Sequence, residues 1–254
     1  MNCKVSILIT TFQRPHLLKW GLYSLARQYI PFTFETLVIN DGVNDETEEI
    51  CHKYLRKLNL KYLFSGQRNL NGAIEWRVPG FAFNIGAKQS LGKVLILSCA
   101  EMFHLNDTVS KLAYPVLKNP NLLGIPVGKS DRDGIFLNHL NEHNGRFTPA
   151  LFEQLPALDV RLPYLLSVSR SQYNAIGGYD EDFTGVAAED SDLVDRLRLN
   201  GCGYFQTKAE TVHLYHPRHL GGTEHHPAVQ YNRNLYYTRQ GRIVRNEKRE
   251  WGKL

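Results

Sequence analysis

Residues 189–192, Glu189-Asp190-Ser191-Asp192, place three carboxylates within four positions. Acidic residues are favoured in the first turn of a helix, where they meet the positive end of its dipole. Carboxylates held there and pointed into a cleft can also take a proton from a hydroxyl, and two side by side raise the proton affinity of one. A second set lies near the N-terminus, where the apolar run Val5–Ile9 ends in Thr10-Thr11-Phe12-Gln13-Arg14 and Val38-Ile39 ends in Asn40-Asp41-Gly42. Phe12 can flank a nucleobase and Asp41 can accept from a uracil-like N–H, so the pair can read a base by face and edge. Taken alone, Asn-Asp-Gly also makes a turn and a lone Phe also packs.

Such groups must be carried by a scaffold. The chain has 254 residues, 43% apolar and 22% charged, which suits one large α/β domain or two fused halves sharing a core. Short apolar runs alternate with amphipathic stretches, the pattern of βαβ units in a mostly parallel sheet. It predicts strands over 4–10, 36–40, 61–65 and 94–97, with helices over 16–28, 45–58 and 81–90. The Gly-rich stretch 69–80 reads as a loop at the sheet's carboxyl edge, the usual ligand crevice of such folds. The polar region 129–144 reads as an insertion or mobile loop with solvated charges. A strand over 164–169, a Gly177-Gly178 turn and a helix over 190–200 stopped by Gly201 follow.

Taken together these motifs resemble the inverting glycosyltransferases of the GT-A fold, similar to family 2: a Rossmann-like, mostly parallel sheet flanked by helices in a single catalytic domain. In that family the first strand ends in a Thr-x-Asn-like tip and the second in Asp-Asp-Gly-Ser. Here Gln13 replaces the Asn, Asn40 the first Asp and Val43 the Ser, while Asp41 and Gly42 stand. The resemblance implies a nucleotide-diphosphate sugar donor, with UDP favoured, lined by Thr10, Phe12, Arg14 and Asp41. Asn84-Ile85-Gly86-Ala87-Lys88 resembles the family's Asn-x-Gly helix beside the donor, so that Asn84 would meet ribose or phosphate and Arg77 or Lys88 the diphosphate.

The family's fourth strand delivers Asp-x-Asp, whose second carboxylate binds Mn²⁺ or Mg²⁺. The matching segment here is Cys99-Ala100-Glu101. A hard cation needs oxygen, so Glu101 keeps a ligand where the Cys99 sulfur does not suit Mg²⁺. His213-Leu214-Tyr215-His216 resembles the galactosyltransferase segment with two metal ligands two residues apart. The candidate set is Glu101, His213 and His216, with Mn²⁺ favoured over Mg²⁺ because imidazole joins carboxylate. Strand alternation would point His216 away from His213 unless the strand ends between them.

The run Gly177-Gly178-Tyr179-Asp180-Glu181-Asp182-Phe183 followed by Glu189-Asp190-Ser191-Asp192-Leu193 resembles a pattern shared by β-1,4-galactosyltransferases, chondroitin-type polymerases and peptide N-acetylgalactosaminyltransferases. It implies Asp190 as catalytic base and Glu189 as positioning group, with Asp192 as helix cap. The aromatic that stacks on an acceptor sugar in that pattern is replaced by Val186-Ala187-Ala188. On this reading residues 1–217 form the catalytic domain, 1–105 its nucleotide-sugar half and 106–217 its acceptor half, and 218–254 a basic aromatic tail.

Bulk properties narrow the partners. A formal charge of +5 favours anions without naming one. The acceptor expected is a glycan or glycoconjugate hydroxyl. The tail's Arg233, Tyr236, Tyr237, Arg239, Arg242, Arg245 and Arg249 also suit an anionic membrane surface or, less favoured, nucleic acid, which leaves open the same chemistry on a modified base. A nucleotide- or glycan-binding protein that has lost catalysis, motivated by Cys99, is the remaining alternative. No apolar run approaches the ~20 residues needed to span a bilayer, and the four scattered cysteines read as free thiols of a cytoplasmic protein, at most peripheral on a membrane.

Overall fold

The computed structural model describes residues 3–66, 78–159, 161–162, 164–217 and 225–254. In chain order the elements are β1 (Val5–Thr11), α1 (Pro15–Leu25), β2 (Phe34–Asn40), α2 (Thr47–His52), β3 (Leu60–Phe64), α3 (Gly80–Gln89), β4 (Val94–Cys99) and β5 (Met102–His104). They continue with α4 (Thr108–Lys118), β6 (Leu122–Ser130), α5 (Ile135–Glu142), α6 (Pro149–Gln154), β7 (Leu165–Ser169), α7 (Arg170–Ala175), α8 (Glu189–Leu199), β8 (Gly203–His213) and α9 (Pro227–Thr238). Among the described residues no helix is long and apolar enough to cross a membrane.

The strands form one sheet in the order β3-β2-β1-β4-β7-β6-β8-β5. The β3-β2-β1-β4 half is parallel, β7 is antiparallel to β4 and β6, and β8 pairs parallel with β6. β1 sits between two parallel partners and all seven of its residues are buried, as a strand covered on both faces requires. Its side chains divide by alternation. Val5, Ile7 and Ile9 join Leu18 and Leu22 of α1 and Leu112 of α4, whereas Leu8 joins Phe83 and Ile85 of α3, Tyr173 of α7 and Leu193 and Leu197 of α8.

One connection dictates the shape. β4 and β5 stand four strand spacings apart in the sheet order, about 19 Å if it were flat. The link from Cys99 to Met102 reaches only about 11 Å. The sheet therefore curls until its last strand meets the end of β4, and Glu101 sits in that junction. There Met102 pairs with His213, and Glu101 O accepts from Leu214 N at 2.9 Å.

Region 129–144 is not the solvated insertion that its polarity suggests. β6 runs to Ser130, and α5 buries Phe136 and Leu140 in a third cluster with Trp20, Phe103, Phe152 and Val212. Asp131, 2% exposed, accepts from Phe136 N at 3.0 Å and Leu137 N at 2.9 Å, which starts the helix from outside its first turn. Two large side chains buried at about 1.5–3 kcal/mol each outweigh the local polarity. The helix expected over 45–58 is shorter, with α2 ending at His52 and turns completing the way to β3.

Candidate active site

The carboxyl ends of β1 and β2 meet as the sequence implies. Asp41 N donates to Thr11 O at 3.0 Å, and a Cβ on Gly42 would stand 3.0 Å from Gln13 N, so the two strand tips touch. Gln13 adopts φ 55°, a left-handed conformation that an Asn there would adopt with less strain. Asp41 is buried and accepts from Ser65 Oγ at 2.7 Å. Thr10 is buried in register with Cys99, Phe12 is half-buried just beyond, and Arg14 precedes α1.

Asn84 and Lys88, the other two residues expected at the donor, lie elsewhere. Asn84 is fully buried and every hydrogen-bonding position of its amide is taken. Its Nδ2 donates to Tyr179 O and Glu181 Oε1, and its Oδ1 accepts from Tyr173 Oη and Tyr179 N. It holds the Gly-Gly-Tyr turn and has nothing left for a ribose. Lys88 stands near the end of α3, beside Ala87 and Ser90, whose atoms bind Arg170 at the amino-terminal edge of the sheet, opposite the crevice. Its ammonium rests 3.6 Å from the Trp251 ring centroid, a cation–π contact. Arg77 and most of the Gly-rich loop lie outside the described residues.

Glu101, His213 and His216 do converge, with one donor atom from each within 4.8 Å of the others. β8 ends at His213, so Leu214 and Tyr215 turn the chain and bring His216 back to the same side. Glu101 Oε1 lies 3.6 Å from His213 Nε2 and 3.5 Å from His216 Nε2. His216 Nδ1 lies 2.9 Å from Pro217 O, a carbonyl that fixes the ring so that Nε2 is the atom turned to Glu101. Burial alone would raise the Glu101 carboxyl, yet Arg14 and the two imidazoles hold it well below the usual carboxylate range. One anionic oxygen and two oriented imidazole nitrogens fit a divalent transition cation better than Mg²⁺.

Glu189 and Asp190 open α8. The turn before them is strained: Gly185, Ala187 and Ala188 have φ of 73°, 80° and 71°, and the two alanines pay the usual Cβ penalty of that region. Glu189 is 8% exposed and its Oε2 has no hydrogen-bond partner among the described residues. Burial, with Asp190 adding to it, pushes its carboxyl well above the usual range. Burial also lifts Asp190, to about 6, against the pull of Tyr179, whose hydroxyl donates to Asp190 Oδ1 at 2.9 Å. Both carboxyls of the pair are thus raised, and Asp190 stands close enough to neutrality to take up and release a proton there. Asp192 is not the expected cap. Its oxygens take Arg196 Nε at 2.7 Å and Arg245 Nη2 at 2.9 Å.

Sequence reasoning missed Tyr179 and the tail. Tyr179 is fully buried, stacked on Phe83 at 5.6 Å, and aimed at Asp190. Its turn is gripped from residues 239–252. Arg245 Nε lies 2.9 Å from Asp180 Oδ2, Arg239 pairs with Asp180 and Asp182, Arg249 pairs with Asp182, and Asn246 Nδ2 donates to Gly177 O and Tyr179 O. Gly177, at φ 76°, passes so near Arg245 O that a Cβ would stand 2.1 Å from it. The buried cluster balances Arg196 and Arg245 against Asp180 and Asp192, the condition for keeping charges out of water. Arg242 pairs with Glu247 and Tyr236 donates to Asp195. Arg239, Arg242, Arg245 and Arg249, four of the tail arginines that suggested a nucleic-acid or membrane surface, are therefore engaged by the protein's own carboxylates.

Comparison with known proteins places this geometry in a family. The model of "Glycosyl transferase family 2" matches residues 6–173, and that of "N-terminal domain of galactosyltransferase" matches residues 164–220. Validoxylamine A glucosyltransferase of Streptomyces hygroscopicus subsp. limoneus is 28% identical over 78% of this chain and 48% of its own. The poly(ribitol-phosphate) beta-N-acetylglucosaminyltransferase TarS of Staphylococcus aureus is 31% identical over 83% of this chain and 37% of its own. The chain thus spans about half or less of the length of these relatives. Among solved structures, GalNAc-T7 with UDP, GalNAc and Mn²⁺ superposes with a TM-score of 0.60 at 16% identity, covering 84% of this chain and 44% of that one. With its curled, mostly parallel sheet and a family match over more than half its length, the chain belongs to glycosyl transferase family 2 and has the GT-A fold.

Proposed function

We propose that this chain is a metal-dependent inverting glycosyltransferase that moves a sugar from a UDP-sugar to a hydroxyl of a glycan or glycoconjugate. The observation that carries this is the separation of two charge centres around Cys99. Glu101, grouped with His213 and His216, is one and the Glu189–Asp190 pair the other, and the charges of both reach the Cys99 thiol. In this reading the base lies between the tips of β1 and β2, with Phe12 and Asp41 at its face and edge, Thr10 beneath and Arg14 toward the diphosphate. A bound Mn²⁺, held by Glu101, His213 and His216, would neutralise the charge that builds on the departing diphosphate.

Asp190 takes the proton from the acceptor oxygen as that oxygen bonds to the anomeric carbon. The bond from that carbon to the donor's phosphate oxygen breaks on the opposite face, and the nucleoside diphosphate leaves with the electron pair. Attack opposite the leaving group inverts the anomeric centre. Glu189, whose burial beside Asp190 favours the protonated form, orients the acceptor by a hydrogen bond. Donors come from the names of the neighbours, since GalNAc-T7 was crystallised with UDP and Mn²⁺ and TarS is named for N-acetylglucosaminyl transfer.

A thermal-shift screen of sugar nucleotides with Mn²⁺ identifies the donor, because a ligand that binds only the folded state raises its melting temperature with occupancy. With that donor, Asp190→Asn is expected to abolish transfer and leave donor affinity within about threefold, the loss confined to a step made only in the transition state. Loss of donor binding would remove Asp190 from the role of base. Glu101→Ala is expected to eliminate the Mn²⁺-dependent part of donor binding; unchanged metal dependence would move the metal to other residues.

A further inference from the structure

Arg14 occupies an unusual position for a donor-binding cation. Its Nη1 lies 2.6 Å from Glu101 Oε1, and that same oxygen faces the Nε2 atoms of His213 and His216. The oxygen by which Glu101 faces both histidines, the one a metal ion held by all three would use, is therefore the one the guanidinium already binds. Glu101 is 6% exposed, so charges brought around it are weakly screened, and a divalent cation entering beside a guanidinium meets strong repulsion.

The arginine is built to leave. Its backbone is fixed, because Arg14 O accepts from Leu17 N and Leu18 N and starts α1. Its side chain is 27% exposed, and Glu101 is its only hydrogen-bonded side-chain partner among the described residues. One of five guanidinium N–H groups is engaged, and the planar fork that remains matches phosphate oxygens. With Lys88 at the far edge of the sheet, Arg14 is the cation that the β1 tip itself brings to the crevice.

We propose that Arg14 is a resident counter-cation for Glu101 which the divalent metal displaces, and that the released guanidinium then binds the donor's diphosphate. The inference rests on the metal-dependent reading above. Metal and donor then bind cooperatively through one side chain, and each raises the affinity of the other by the same factor. The same arginine opposes the metal and assists the nucleotide, so removing it must shift the two affinities in opposite directions.

The test uses the full chain, wild type against Arg14→Met and Arg14→Lys, with folding compared by thermal melts. Mn²⁺ binding is read without nucleotide from the loss of the free-ion electron paramagnetic resonance signal, and UDP binding by calorimetry at saturating Mn²⁺. Arg14→Met is expected to bind Mn²⁺ about tenfold more tightly and UDP about tenfold more weakly, the factor that one charge-assisted hydrogen bond carries. Arg14→Lys, which keeps the charge and loses the fork, is expected to fall between them in both. If wild type binds Mn²⁺ and Arg14→Met binds it equally or less tightly, or if UDP affinity is unchanged, the counter-cation role is overturned and the metal site stands. If neither protein binds Mn²⁺, the metal site itself fails and this inference with it. Should Arg14→Met not fold, Arg14→Gln carries the same two measurements with the same expectations.

Discussion

Replacing Tyr179 by Phe should move the pH at which the base titrates while leaving the site assembled. The change removes one oxygen from a fully buried ring whose stacking on Phe83 and edge contact with Tyr173 are retained. The phenol is held well above its ordinary range by burial and by the neighbouring carboxylates, so it remains a donor throughout the working range. Its hydrogen bond favours the charged form of Asp190, which stands at about 6. A hydrogen bond to a charged group contributes about 1.5–3 kcal/mol, and at about 1.36 kcal/mol per unit its loss should raise Asp190 by roughly one unit or somewhat more. The proton must be off Asp190 for it to act, so activity falls as pH drops through its pKa, and the variant should lose activity at higher pH than wild type. The assay is Mn²⁺-dependent release of UDP from the donor without acceptor, water taking the acceptor's place, profiled from about pH 5 to 9. The acid limb should move from near 6 to about 7, with rates at about pH 8.5 within about twofold of wild type. An unmoved limb would mean that Asp190 is not the base, and an equal loss at every pH would mean that Tyr179 acts by packing alone.

Two further predictions concern stability. Because folding lifts Asp190 to about 6 from an ordinary value of about 3.9, the folded state prefers its protonated form. The stability this confers is present below about pH 4 and lost as pH rises through about 6. By pH 7.5 the charged carboxylate costs up to about 3 kcal/mol, so Asp190→Asn should resist urea better than wild type there, with the gap closing toward pH 4; a gap independent of pH would contradict the assigned environment. Arg245→Met should destabilise the fold by about 3 kcal/mol in urea, since it leaves two buried aspartates short of a partner, and a loss under about 0.5 kcal/mol would mean that the tail does not hold the Gly-Gly-Tyr turn.

How much of this was legible in the sequence depended on the range of the signal. β1, β2 and α3 follow from periodicity because their burial repeats locally, and the strand tips follow from them. The Gly177-Gly178 turn is readable too, although its reason is not: Gly177 is required both by its φ and by the passage of Arg245 O, 68 positions along. Asn84 marks the other limit. A motif fixes its place on α3 but not which way its amide faces, and four hydrogen bonds to distant residues turn it from the ribose toward Tyr179. Residues 129–144 misled because seven charged or histidine side chains mask Phe136 and Leu140, an i, i+4 apolar pair that announces a short helix. The tail's role had no local signature, since its arginines gain meaning only against Asp180, Asp182 and Asp192, brought near by the fold.

The substitution at Cys99 then acquires a physical sense. Burial raises its thiol first, and Glu101, Asp190 and Glu189 raise it further, so the group that both centres reach stays neutral. A carboxylate in its place would be a further anion between Glu101 and a pair whose proton affinities are already raised. It would push Asp190 upward, away from the value near 6 that lets it work as a base at neutral pH, unless another cation compensated. With a neutral Cys99, Glu101 is the one anion of its cluster and Arg14 is enough to balance it. In the proposed mechanism the altered motif thus separates the charge demands of the leaving group from those of the base, and the loss of an aspartate is compatible with it.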